Sequence, residues 1–289
     1  MDQHKRSKLM LSGAMAIFGT LGIFTRNIAV SSGELALYRA ILAAILITGY
    51  LLVTKQPIPF AQMKKEIPLF LLSGAAMGVN WILLFQAYRY TTISVATLSY
   101  YFAPVIVIVL SSILLKEKLT RNQLICFVMS TLGIVLITGS VDLSGSGRDL
   151  IGILLGLGAA MLYAFCILLN KFIKNVDGIH RTLLQFLAAI LILIPYVAFT
   201  GGVTLGSLDG PGWVCLLVVG LVHTGVTYCM YFTALKDLTG QETAILSYID
   251  PLVAVLMSVF LLGEPITPLQ ILGGLLILGF TLWNERNSQ

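Results

Sequence analysis

Charge is what this chain has least of. Charged residues make up 11% of its 289 residues, where a soluble domain carries about a quarter. Histidine is nearly absent, with only His4, His180 and His223, so no HExxH metal motif can be written. There is no Walker loop for a nucleotide and no DxxD-like acid cluster for a metal. The four cysteines, Cys126, Cys166, Cys215 and Cys229, fall inside apolar segments and form no CxxC pair, so they read as small buried residues. These shortages exclude a metalloenzyme, a nucleotide-driven pump within this chain and an integral-membrane enzyme with a catalytic cluster. No cofactor and no metal is expected.

What fills the space is apolar. Hydrophobic residues account for 57% and mean hydropathy is +0.93. A polytopic membrane protein follows, with the lipid bilayer as its solvent. The net charge of +5 is therefore no nucleic-acid signal, because basic residues in short loops orient membrane helices instead. The start resembles a signal peptide, with Lys5, Arg6 and Lys8 before an apolar run. That run is too long for one, so an uncleaved spanning helix is expected.

A spanning helix needs about 20 mostly apolar residues, and ten stretches qualify. Span 1 is expected over 9–29, span 2 over 34–53, span 3 over 67–87, span 4 over 93–115 and span 5 over 123–139. After a polar linker come span 6 over 150–172, span 7 over 179–200, span 8 over 212–235, span 9 over 242–262 and span 10 over 269–283. Fourteen loop lysines and arginines lie on the side of the termini and three on the other, which places both termini in the cytoplasm.

The chain is written twice. Gly78 to Gln123 and Gly225 to Gln270 align without a gap. They share Tyr101/Tyr248, Pro104/Pro251, Glu117/Glu264, Thr120/Thr267 and Gln123/Gln270 among other pairs. The first halves match more weakly, with Arg26 opposite Lys171 and Leu42–Ile47 opposite Leu187–Ile192. The fold class expected is an all-α membrane protein of ten helices in two inverted five-helix repeats. Residues 1–139 form the first repeat, 140–149 the linker and 150–289 the second. Five helices per repeat is odd, so the second enters from the opposite side. Two such halves can exchange conformations and open a central site to each side in turn.

Several residues are candidates for that site. Pro104 and Pro251 interrupt spans 4 and 9 at equivalent points, and their breaks either line a cavity or serve packing only. Tyr101 and Tyr248 lie one turn before them. Span 8 carries a stripe of Thr224, Thr227, Tyr228 and Tyr231 with His223 beside it, and span 3 puts Asn80 and Trp81 opposite Thr227 and Tyr228. Polar groups facing lipid are costly, so this stripe faces the interior, for substrate or for interhelical hydrogen bonds. Asp250 is an acid at membrane depth whose repeat partner is Ala103. It binds a substrate ammonium group, takes a coupling proton, or pairs with a neighbour. Arg39 could bind a substrate carboxylate; snorkelling outward or pairing with Glu34 is the preferred reading. Glu117 and Glu264 end spans 4 and 9, where an acid opposes the helix dipole and needs donors; they are read as gate residues. The spacings Gly74/Gly78 and Gly152/Gly156 mark close helix approach.

The residues AIFGTLGIFTRN in span 1, ELALYRAILAAILI in span 2, the pairs Pro104–Glu117 and Pro251–Glu264, and LGEPITPLQILGGLLILGF near the end resemble EamA-type transporters of the drug/metabolite transporter superfamily. The resemblance covers essentially the whole chain. It implies ten helices around a central cavity and transport of small solutes, often amino acids and related metabolites, with many members exporting them. Span 1 departs from the family's aromatic-Gly-Ser pattern with Phe18-Gly19-Thr20, and Asp250 has no place in the general pattern. Two transport functions stand. One is secondary transport of amino acids or related small polar metabolites, by monomer or homodimer, with a possible coupling proton. The other is an organic-cation or drug exporter using Asp250 and a cage of Trp81, Tyr101, Tyr228 and Tyr248.

Overall fold

The computed structural model describes residues 3–56, 64–114, 120–139, 147–173, 176, 178–235, 237–238 and 246–287. Glu117, most of the 140–149 linker and the start of span 9 lie outside the described residues. Among those described, seven helical stretches are long and apolar enough to cross a bilayer. Three shorter apolar helices bring the number to ten. Helices are the form an apolar chain must take there, because lipid offers no partner for backbone groups.

Span 1 is two helices, α1 (Gln3–Gly19) and α2 (Leu21–Arg26), separated at Thr20. Spans 2 and 3 are α3 (Ser32–Val53) and α4 (Ile67–Tyr90). Span 4 is split into α5 (Ile93–Tyr100) and α6 (Ala103–Leu114), and span 5 is α7 (Arg121–Gly139). Spans 6 and 7 are α8 (Arg148–Phe172) and α9 (Gly178–Thr200). Span 8 starts as α10 (Gly210–Leu217), widens into a π-helical turn over Val218–Val226 and continues as α11 (Thr227–Leu235). Spans 9 and 10 are α12 (Ile249–Phe260) and α13 (Pro268–Asn287).

Pro104 and Pro251 were expected to kink continuous helices; they stand instead just inside new ones. Each lacks the N–H that an interior position would need, and the first turn of a helix does not need it. The joints are near copies: Tyr101 has φ −72° and ψ 5°, Tyr248 φ −71° and ψ −9°.

The duplicated sequence is also visible in the packing. Span 3 packs on spans 6 and 7, and span 8 correspondingly packs on spans 1 and 2. Span 4 packs on span 6 as span 9 does on span 1. The pairs 2–7, 4–9 and 5–10 map onto themselves when each helix is exchanged for the one five places on. A pseudo-two-fold axis relates the repeats. Span 5 meets span 10 at Gly133 and Gly273, where a Cβ on either would come 2.6 or 2.5 Å from the other's carbonyl oxygen. Only glycine permits that crossing. At the paired Thr-x-x-Gln sites, Thr120 and Gln123 exchange backbone-to-side-chain bonds of 2.8 and 3.2 Å, and Thr267 and Gln270 do so at 3.0 and 3.2 Å. These are capping boxes that start α7 and α13.

The outside of the bundle is hydrocarbon: Phe199 is 90% exposed and Phe260 81%. The inside holds small and polar residues such as Ser73, Ser99, Asn80, Thr97, Thr224 and Ser258, all buried. Gln185 of α9 donates to Ser73 of α4 at 3.2 Å and to Asn170 of α8 at 2.8 Å. Such interhelical hydrogen bonds join the spans alongside a core of buried Leu, Ile and Ala side chains, since apolar groups gain little from meeting each other in lipid.

Candidate functional site

Two of the helix joints meet. The Tyr101 hydroxyl, at the α5–α6 joint, donates to a carboxylate oxygen of Asp250 at 2.5 Å, and Asp250 stands two residues past the Tyr248 joint. Breaking both helices here leaves side chains aimed inward from each repeat. Tyr101 sits edge-on to Tyr100 at 5.9 Å, and Tyr100 stacks against Tyr163 of α8 at 5.4 Å. Asp250, Tyr100 and Tyr101 are only partly buried and Tyr163 is 41% exposed, although all lie midway along their spans.

Arg39 belongs to α3. It is 3% exposed, so it does not snorkel outward. Nor does it pair with Glu34. That carboxylate takes the Thr204 N–H at 2.6 Å, the Thr204 hydroxyl at 2.7 Å, the Ser31 N–H at 3.1 Å and the Tyr38 hydroxyl at 3.4 Å. Glu34 is the return arm of the capping box that starts α3, which leaves it no capacity for a guanidinium. Arg39 instead donates from Nε to Thr224 at 3.0 Å and lies over the rings of Trp81 at 4.4 Å and Phe85 at 5.3 Å. Aromatic faces stabilise a desolvated cation. No acid pairs with it among the described residues. Tyr88, Tyr100 and Tyr228 interact electrostatically with both Arg39 and Asp250.

The remaining candidates divide. Tyr228 is edge-on to Phe18 at 5.3 Å and to Phe186 at 5.4 Å. Trp81 lies under Arg39 and against Phe186 at 5.5 Å, so it is engaged with a cation of the protein itself. Asn80 donates to the Ala159 carbonyl at 2.6 Å and joins spans 3 and 6. Tyr248 is buried. His223, Thr224 and Thr227 belong to or border the π-helical turn, and each bonds to the carbonyl five residues back. A π-helical turn has no sequence signature, and it accumulates at functional positions. Tyr88, Tyr100, Tyr163 and Phe186 were not singled out from sequence; an aromatic in an apolar helix looks the same whether it lines a cavity or packs.

A charged network joins the two repeats at one end of the bundle. Glu264 takes the Ile93 N–H at 2.8 Å, so it caps α5 of the other repeat, and it also bonds Ser258 and pairs with Arg26. Arg26 in turn reaches the Thr91 carbonyl at 3.1 Å, at the end of α4. A cavity of about 710 Å³ opens at this end, lined by Arg26, Arg89, Val30, Leu35, Phe85 and Tyr88 among others. Phe85 and Tyr88 form a wall common to this cavity and to the surroundings of Arg39.

Three comparisons bear on this arrangement. A transporter of Bacillus subtilis (strain 168), named only as uncharacterized transporter YxxF, is 30% identical over 258 residues, covering 89% of this chain and 81% of that protein. An uncharacterized transporter of Archaeoglobus fulgidus is 28% identical over 276 residues, 93% of each. A crystal structure superposes with a TM-score of 0.67 over 96% of both chains at 16% identity, which shows a shared fold. The model of the EamA-like transporter family matches twice, over residues 6–139 and 150–284. Two matched segments, ten helices and a charged, aromatic-lined interior agree: the chain belongs to the EamA-like transporter family of the drug/metabolite transporter superfamily, and is a multi-pass membrane transporter rather than an enzyme.

Proposed function

We propose that this transporter is a secondary carrier of amino acids or closely related zwitterions, moved across the cytoplasmic membrane by alternating access. The observation that carries this reading is the pair Arg39 and Asp250. They are a buried cation without an acid partner among the described residues and a carboxylate held by one tyrosine, and Tyr88, Tyr100 and Tyr228 interact electrostatically with both. An α-carboxylate suits the planar fork of an arginine, and an ammonium group suits an aspartate beside aromatic faces. Net export is the direction the family resemblance implies.

The repeats supply the movement. Residues 1–139 and 150–289 act as two halves around the site, with 140–149 as their linker. Both termini lie in the cytoplasm, by the excess of basic residues on their side. Energy comes from an ion gradient, of which protons are the chosen candidate, or from exchange. The carrier works as a monomer or homodimer.

A second reading keeps the fold and changes the cargo. Tyr100, Tyr101 and Tyr163 gather their rings next to Asp250, which also suits an organic cation without a carboxylate. Uptake by reconstituted liposomes decides between them. A panel of labelled amino acids and organic cations would be offered with and without an imposed proton gradient. Saturable, competable amino-acid transport supports the first reading; transport of cations alone supports the second.

A further inference from the structure

Hydrogen-bond counting at His223 gives a result that substrate binding does not require. The ring is buried, with 2% of its surface exposed. Its Nδ1 lies 3.3 Å from the Val218 carbonyl oxygen and its Nε2 2.9 Å from the Thr20 hydroxyl. That hydroxyl also donates to the Ile17 carbonyl at 2.8 Å. A carbonyl only accepts, and a hydroxyl has one proton to give. With the Thr20 proton on Ile17, Nε2 must donate to Thr20. With a carbonyl facing Nδ1, that nitrogen must donate too. All three bonds exist together only when the ring carries both protons. A neutral ring forces the Thr20 hydroxyl to choose between Ile17 and Nε2.

Thr20 is the residue at which span 1 breaks, and its neighbour Gly19 touches the other half of the site. A Cβ on Gly19 would come 2.5 Å from the Asp250 carbonyl oxygen and 2.6 Å from the Val253 Cβ. Span 1 therefore rests its joint directly on the turn that carries Asp250. A proton arriving at His223 sets the Thr20 hydroxyl, and Thr20 sits in the joint that abuts the backbone of Asp250.

Of the elements packed on the π-helical turn, α3 presents Arg39, which is bonded to Thr224 next to His223. Span 1 presents Thr20 at its joint and the Phe24 ring of α2 at 4.9 Å. The α11 residue Tyr228 interacts with Arg39, and α10 presents no titratable group that acts on the ring. Arg39 is the one charged side chain acting on His223 among the described residues. Two positive charges there repel, and a carboxylate seated on Arg39 would remove that repulsion. Proton and carboxylate then favour each other's binding, a coupling that is reciprocal by necessity.

We propose that His223 and Thr20 form the proton-binding site that couples this transporter to a proton gradient. The link to a carboxylate rests on the zwitterion reading; the proton site itself does not.

The test needs no knowledge of the substrate. With His4→Gln and His180→Gln, His223 is the only histidine left, and its ring nitrogens can be followed by NMR in ¹⁵N-histidine-labelled protein in lipid nanodiscs. A doubly protonated ring is expected to appear as the pH is lowered and to disappear as it is raised. Thr20→Val, which removes the acceptor of Nε2, is expected to deplete that signal throughout the range, and Thr20→Ser to keep it. A ring that stays in one neutral tautomer, or that ignores Thr20→Val, overturns the proposal. A mixture of the twenty amino acids is expected to enrich the protonated form. If titration and its dependence on Thr20 persist while no amino acid alters them, the proton site stands and the zwitterion reading falls. In liposomes carrying a pH-sensitive dye, His223→Gln is expected to lose proton movement coupled to transport; retained coupling overturns the proposal.

Discussion

Tyr101 and Asp250 come from different repeats and meet at the two helix joints, hydroxyl to carboxylate, at 2.5 Å. Neither residue's repeat partner reproduces the contact, since Asp250 corresponds to Ala103. The bundle is symmetric in backbone and asymmetric in charge at its centre. Removing the hydroxyl with Tyr101→Phe leaves the carboxylate without its donor. A hydrogen bond to a charged group contributes about 1.5–3 kcal/mol, so substrate affinity should change by about ten- to a hundredfold. Asp250→Asn should abolish transport while the protein still reaches the membrane. Normal uptake by Asp250→Asn would give the acid a structural role.

Arg39 offers a sharper contrast. Arg39→Lys keeps the charge but loses the planar fork, the Thr224 bond and stacking on Trp81. Uptake of carboxylate-bearing solutes should fall at least about tenfold, the equivalent of one charge-assisted bond. Binding of a simple organic amine should change little. Equal losses for both would mean that Arg39 supports the fold and not the cargo.

At the network of Arg26 and Glu264, Glu264→Ala removes the acceptor for the Ile93 N–H along with the partner of Arg26. The ion pair itself contributes little because Arg26 is partly exposed. The stranded N–H costs about 1–3 kcal/mol, which thermal unfolding in detergent would register. Glu264→Gln keeps an acceptor and should cost less than Glu264→Ala; the reverse order would show that charge, not capping, governs this end.

The capping boxes test the duplication energetically. Thr120→Ala and Thr267→Ala each remove one side-chain cap, at about 0.5–2 kcal/mol. Equivalent environments should give similar losses in melting temperature. A large loss at one and none at the other would mean the two helix starts are alike in pattern alone.

The ten spans, their duplication and the all-helical fold were legible because length, hydropathy and the polar pairs Thr-x-x-Gln survive in sequence. The joints in spans 4 and 9 announced themselves through Pro104 and Pro251, though as kinks rather than breaks. The joint at Thr20 and the π-helical turn carry no such marker, because Gly19-Thr20 and VVGLVHTGV are ordinary membrane sequence. Partners across the bundle were less legible still. Glu34 lies one helical turn from Arg39 and looked available. It is consumed by Thr204, 170 residues away, which only the folded chain brings near. Tyr100 and Tyr163 went unnoticed for a related reason: what distinguishes them is the ring contact that joins spans 4 and 6, which only the folded chain makes.

The most direct measurement is a competition in reconstituted liposomes. Uptake of a labelled amino acid would be challenged by the same amino acid, its methyl ester and its N-acetyl form. If Arg39 holds the carboxylate and Asp250 the ammonium, the unmodified compound competes and both derivatives fail. If the methyl ester competes as well as the parent, the carboxylate is not recognised, and the pairing of Arg39 with Asp250 around a zwitterion is wrong.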